Sequence, residues 1–142
     1  MNPAASVAQP SDRAPVFIDD LAAVNPQEWF GGAVEVAQVH STEAAAFAVQ
    51  VIAPGKHLQA HHHEGMWDHF VALRGEAVLT LTSPAGERSD FPMRAGSFLA
   101  VPPGVTHRVD NAAGNEPFVY LLAQAPFAHG DFHEDEPSGE SA

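Results

Sequence analysis

Between about residue 33 and residue 123 the chain is a succession of short runs in which apolar and polar residues alternate, each closed by Gly, Pro, Asn or Asp. The runs are 33–40, 46–52, 57–63, 68–73, 77–82, 89–93, 97–101, 106–110 and 118–123. Alternation at period two puts every second side chain on one face of an extended strand. Turn signals recur every 8–12 residues or so with no 3.6-residue apolar repeat between them, so no helices are available to cover a parallel sheet. The pattern predicts an all-β fold, an antiparallel sandwich or barrel. A single short helical turn is expected over residues 19–24, stopped by Asn25-Pro26 because the residue before proline is pushed out of the helical region.

The chain has 142 residues, 45% of them hydrophobic, with nine Phe and two Trp, enough for one core and one domain. That domain is expected over 16–127, between a flexible tail at 1–15 and a flexible acidic tail at 128–142. The tail reading rests on Asp131, Glu134, Asp135, Glu136 and Glu140, which a solvated segment carries at no cost. Cysteine is absent, which excludes disulfides, thiolate metal sites and cysteine nucleophiles. Six Lys and Arg against 18 Asp and Glu give a formal charge of −12, a field that repels nucleic acid and anionic membranes. No run approaches the roughly 18 apolar residues of a membrane span, and Met1–Ser6 lacks the basic and apolar regions of a secretory signal. A cytoplasmic location is the expectation.

Five of the nine histidines, His57, His61, His62, His63 and His69, fall in one short stretch. On a strand, His57, Gln59, His61 and His63 would share a face and His62 the other. His61 and His63, two residues apart, would sit about 6–7 Å apart at the backbone and converge on one ion. The spacing continues: Gly55, five residues, His61, one, His63, four, Asp68, six, Gly75. A second series follows: Gly96, five, Pro102, one, Gly104, two, His107, three, Asn111.

Together these ten positions resemble the two sequence motifs of the cupin superfamily. The second series agrees throughout, and the first departs only in having Asp68 where the family most often has glutamate. The resemblance implies a double-stranded β-helix, a jelly-roll barrel, in which His61, His63, Asp68 and His107 hold one divalent transition metal ion. Asp68 is one methylene shorter than glutamate, so it either reaches the ion through an inward strand shift of about 1.5 Å or acts as an acceptor beside the ligands. Nitrogen and carboxylate donors suit Fe(II), Mn(II), Ni(II), Co(II) or Zn(II) alike.

Such a metal implies an enzyme acting on a small oxygen-rich or enolisable molecule. Dioxygenase chemistry is preferred if Asp68 leaves more positions open. Isomerisation, elimination or cyclisation without dioxygen is the alternative, and a non-catalytic ligand- or metal-binding protein the third. Gln59 and His57 are the candidate catalytic groups beside Asp68. Family resemblance further implies a homodimer joined through a strand such as 33–40. Pro103-Gly104 reads as a tight turn, and Gly75 and Gly96 as reversals where a side chain would clash. Phosphate loops and the G-x-S-x-G elbow of serine hydrolases are absent from the sequence.

Overall fold

The computed structural model describes residues 14–24, 27–29 and 32–136, with backbone only for 27–29. After a 3-10 turn at Leu21–Ala23 the chain forms β1 (Gln27–Trp29), β2 (Val34–Ser41), β3 (Ala46–Ile52), β4 (His57–His62), β5 (Trp67–Arg74), β6 (Glu76–Thr82), β7 (Arg88–Arg94), β8 (Phe98–Val101), β9 (Thr106–Asp110), β10 (Phe118–Ala125) and β11 (His133–Glu134). Nine of these strands lie within two residues of the runs read from the sequence. The proposed Asn25-Pro26 stop falls outside the described residues, as does most of the expected N-terminal tail.

The strands pair antiparallel in two sheets, in the orders β1-β2-β3-β10-β5-β8 and β11-β4-β9-β6-β7. Neighbours distant in sequence, such as β4 with β9 and β3 with β10, make this the expected double-sheet jelly roll. Between the sheets lie Ile52, Phe70, Leu79, Val109, Phe118 and Tyr120, each at most 1% exposed. Full burial of a side chain of this size contributes about 1.5–3 kcal/mol, so this layer carries much of the fold.

The clash expected at two glycines holds at Gly75 and fails at Gly96. A Cβ on Gly75 would lie 2.2 Å from the Pro117 carbonyl oxygen, and its φ is +80°. Around Gly96 there is open space, and only its φ of +95° requires glycine. Asn111, 1% exposed, ties the β9–β10 loop to β3 by donating from Nδ2 to the carbonyls of Ile52 and Glu116, both at 3.0 Å.

Two expectations need correction. The segment 128–136 is not a solvated tail: β11 pairs with β4, Asp131 accepts from the Glu64 and Gly65 amides at 2.7 and 2.8 Å, and Glu136 accepts from the Ala60 amide at 2.7 Å. Asp131 and Glu136 thus serve backbone donors, and Asp135 accepts from His62 Nδ1 and the Thr106 hydroxyl at 2.9 Å, contacts that an acidic composition alone does not reveal. Strand β2 is also not a free edge over Val34–Val36, since it pairs there with both β1 and β3 of its own chain.

Candidate metal centre

The site begins with an irregularity in β4. Leu58 pairs with Val109, but His61 rather than Ala60 pairs with His107, so β4 carries one extra residue against β9. Such a bulge re-aims the side chains beyond it. Val109 and His107 share the inner face of β9, and the bulge brings Leu58 and His61, three residues apart, to that same face. His57 and Gln59, which flank Leu58, therefore face away from the cavity, and neither lines it. The expectation that they share a face with His61 fails because simple alternation does not survive the bulge. Both are still buried, at 2% and 1% exposure.

His61 from β4, His63 directly after it, Asp68 from β5 and His107 from β9 converge in the interior, each at most 4% exposed, with one donor atom from each within 4.8 Å of the others. Asp68 Oδ2 lies 3.0 Å from His63 Nε2 and 3.0 Å from His107 Nε2. Its shorter side chain thus reaches the cluster.

A carbonyl oxygen only accepts, so a ring nitrogen facing one must carry the proton. His61 Nδ1 donates to the Gln59 carbonyl at 2.8 Å, His107 Nδ1 to the Val105 carbonyl at 3.0 Å, and His63 Nδ1 to the Asp131 carbonyl. In the neutral rings every Nε2 is then a lone-pair nitrogen aimed inward. Two such lone pairs pointing at a carboxylate oxygen repel it unless a cation lies between them. Ligands about 2.1 Å from a metal and at right angles to each other sit about 3 Å apart, the separation found here. The donor set therefore fits a divalent ion.

Electrostatics follow from the same contacts. Burial, and after it the neighbouring His107, lower the His61 pKa to about 3. Without an ion, a ring carrying a second proton donates from Nε2 as well: burial alone would raise Asp68, but such hydrogen bonds from His107 and His63 outweigh it and hold the carboxyl well below its usual range. Burial would lower His63, yet its hydrogen bond to Asp68 and the charge there leave it raised. In chelator-treated protein the unfolded chain protonates His61 near pH 6.5 while the folded ring resists to about 3. Stability from this group is thus full above pH 6.5 and lost as pH falls towards 3. His63 has the opposite sign and offsets part of the loss, and Asp68 adds to it only below the ordinary aspartate range. A net fall of about 1–2 kcal/mol between pH 7 and pH 5 is expected in urea unfolding. An unchanged or higher midpoint at pH 5 refutes it.

Three of the donors, His61, His63 and Asp68, border a cavity of about 50 Å³ closed by Leu58, Phe70 and Leu122. A larger cavity of about 260 Å³ shares His63, Gln50, Leu122, Gln124 and Phe132 with it. Gln124 Nε2 donates to Asp68 Oδ1 at 3.1 Å, and the Phe132 ring stacks on His61 at 4.3 Å. Sequence reasoning missed Gln50, Gln124, Asp131 and Phe132. For Gln50 the signal was present: Ala46, Ala48 and Gln50 form the small, polar face of β3, which leaves room that large residues would fill. For Asp131 and Phe132 no local pattern marks the contact. Arg108 is paired with Glu136 at 3.2 Å and Asp110 at 3.4 Å.

Comparison with known proteins agrees with this architecture. The sequence profile described as "Cupin domain" matches residues 48–123. The glucose-6-phosphate isomerase of Pyrococcus furiosus is 31% identical over 139 residues, 89% of this chain and 73% of that protein. That of Pyrococcus abyssi is 33% identical over 94 residues, 61% of this chain and 49% of that protein. The chain spans about half the length of several such relatives. Among solved structures, a predicted oxalate decarboxylase from Thermotoga maritima superposes with TM-score 0.64 at 24% identity, covering 77% of this chain and 98% of that one. Bacillus subtilis oxalate decarboxylase, a protein with Mn(II) centres, gives TM-score 0.66 at 26% identity over 81% of this chain and 31% of that one. With the profile matching more than half its length and its donors set in a two-sheet barrel, the chain belongs to the cupin domain family.

Proposed function

We propose that this protein is a metal-dependent isomerase that interconverts a small hydroxy-aldehyde and the matching hydroxy-ketone. The observation that carries this reading is the convergence of three carbonyl-anchored imidazoles and one carboxylate beside a cavity large enough for a small organic molecule. The likeness to glucose-6-phosphate isomerases supports this class of reaction. His61, His63, Asp68 and His107 would hold the ion, whose chemistry when bound is Lewis-acid polarisation of the substrate's oxygens. Asp68, held as an anion, balances part of that charge. Leu58, Phe70, Leu122 and Phe132 narrow the inner cavity and keep bulk water from it.

An oxygenase remains the competing reading, but its premise was that aspartate falls short of the ion, and Asp68 lies among the donors. The test is to load the protein separately with Mn(II), Fe(II), Ni(II), Co(II) or Zn(II) and follow aldose-to-ketose conversion across three- to six-carbon substrates. Conversion dependent on metal is expected. Oxygen consumption without ketose formation would overturn the isomerase reading in favour of the oxygenase.

A further inference from the structure

The outer cavity carries a specific polar signature. Tyr120 donates its hydroxyl hydrogen to Gln50 Oε1, which fixes that amide's orientation, and among the described residues its NH2 has no hydrogen-bond acceptor, so it can donate. Burial raises the Tyr120 pKa well above its usual value, which keeps the phenol protonated as the donor. Gln124 has the opposite polarity: its Nε2 is held by Asp68 Oδ1, which leaves its Oε1 as an acceptor. Both residues border the inner and outer cavities at once. A donor beside an acceptor matches a hydroxyl group, which does both.

Charge sharpens the match. Lys56, Arg74, Arg88, Arg94 and Arg108 are the cationic Lys and Arg side chains among the described residues, and none of them borders either cavity. The titratable groups that do so are His61, His63, Asp68, His129 and Asp131. A phosphate monoester carries nearly two negative charges at pH 7 and is held in protein sites by Arg, Lys or clustered backbone amides. Here it would meet the Asp131 carboxylate in a chain of formal charge −12. Volume does not discriminate, because about 260 Å³ accommodates a small sugar with or without its ester.

We infer that the cavity selects an uncharged polyhydroxylated carbonyl compound, with Gln50 and Gln124 reading its hydroxyls, and rejects the phosphorylated counterpart. This rests on the proposed use of the cavity as the substrate site, and it departs from the sugar phosphate in the relatives' name. The test is calorimetric titration of the Mn(II)-loaded full chain with D-fructose and with D-fructose 6-phosphate, alongside an assay of isomerisation. Binding of fructose at least tenfold tighter than its phosphate is expected, with Gln50→Leu weakening fructose at least fivefold at unchanged metal content. Gln38→Lys, which places a cation on the exposed rim of the outer cavity, should shift the preference towards the phosphate at least tenfold. Equal or tighter binding of the phosphate by the unaltered protein overturns the inference, and the isomerase reading then stands if that ester is converted. Fructose binding without isomerisation of any sugar supports the inference and removes the isomerase reading. Failure of both sugars to bind overturns the inference.

Discussion

Replacing His107 with alanine is expected to lower bound transition metal from about one equivalent to less than a tenth, and to reduce metal-dependent turnover at least a thousandfold. The residue is 1% exposed, and its Nε2 lies 3.0 Å from Asp68 Oδ2. Removing it takes away one donor of four and leaves the carboxylate with an unfilled side, so the remaining groups cannot close around an ion. His107→Gln retains most of the volume and a polar tip while losing the imidazole geometry, and it should be just as poor in metal. Elemental analysis after dialysis against a weak chelator, with circular dichroism as the check on folding, decides the matter. Near-stoichiometric metal in both variants would mean the ion sits elsewhere.

The second large effect is expected from Phe70→Ala. Phe70 is 1% exposed, packs edge-on against His107 with ring centres 5.9 Å apart, and lies 5.2 Å from Tyr120. Truncating a fully buried phenylalanine costs about 3–5 kcal/mol, through lost transfer energy and the cavity left behind. Because Phe70 also borders the donor cavity, the enlarged void adjoins polar groups and can admit water, which places the loss at the lower end of that range. Chemical unfolding of the metal-loaded and stripped forms reads the difference. A loss below about 1 kcal/mol in the stripped form would show that the barrel interior recloses around the missing ring.

Strand positions were legible in the sequence because each run alternates and ends in a residue that breaks extension. The four donors were legible because their spacing follows the two motifs, and His107 could meet His61 only in a barrel that pairs β4 with β9. What was not legible shares one physical character. The bulge between Leu58 and His61 leaves no compositional trace, and it turned the assignment of His57 and Gln59 around. Asp131 contributes a backbone carbonyl, which any residue possesses, so its contact with His63 cannot be read from side-chain type. Likewise the acids of residues 131–136 looked solvated because composition reports charge and not the backbone amides that donate to Asp131 and Glu136.

The carbonyl that fixes the His63 proton belongs to Asp131, 24 positions beyond the last imidazole donor, His107. Vectorial synthesis therefore produces all four ligands before it produces the group that orients one of them. The emerging chain thus carries its full donor set before the strap that orients the His63 ring has crossed back over β4.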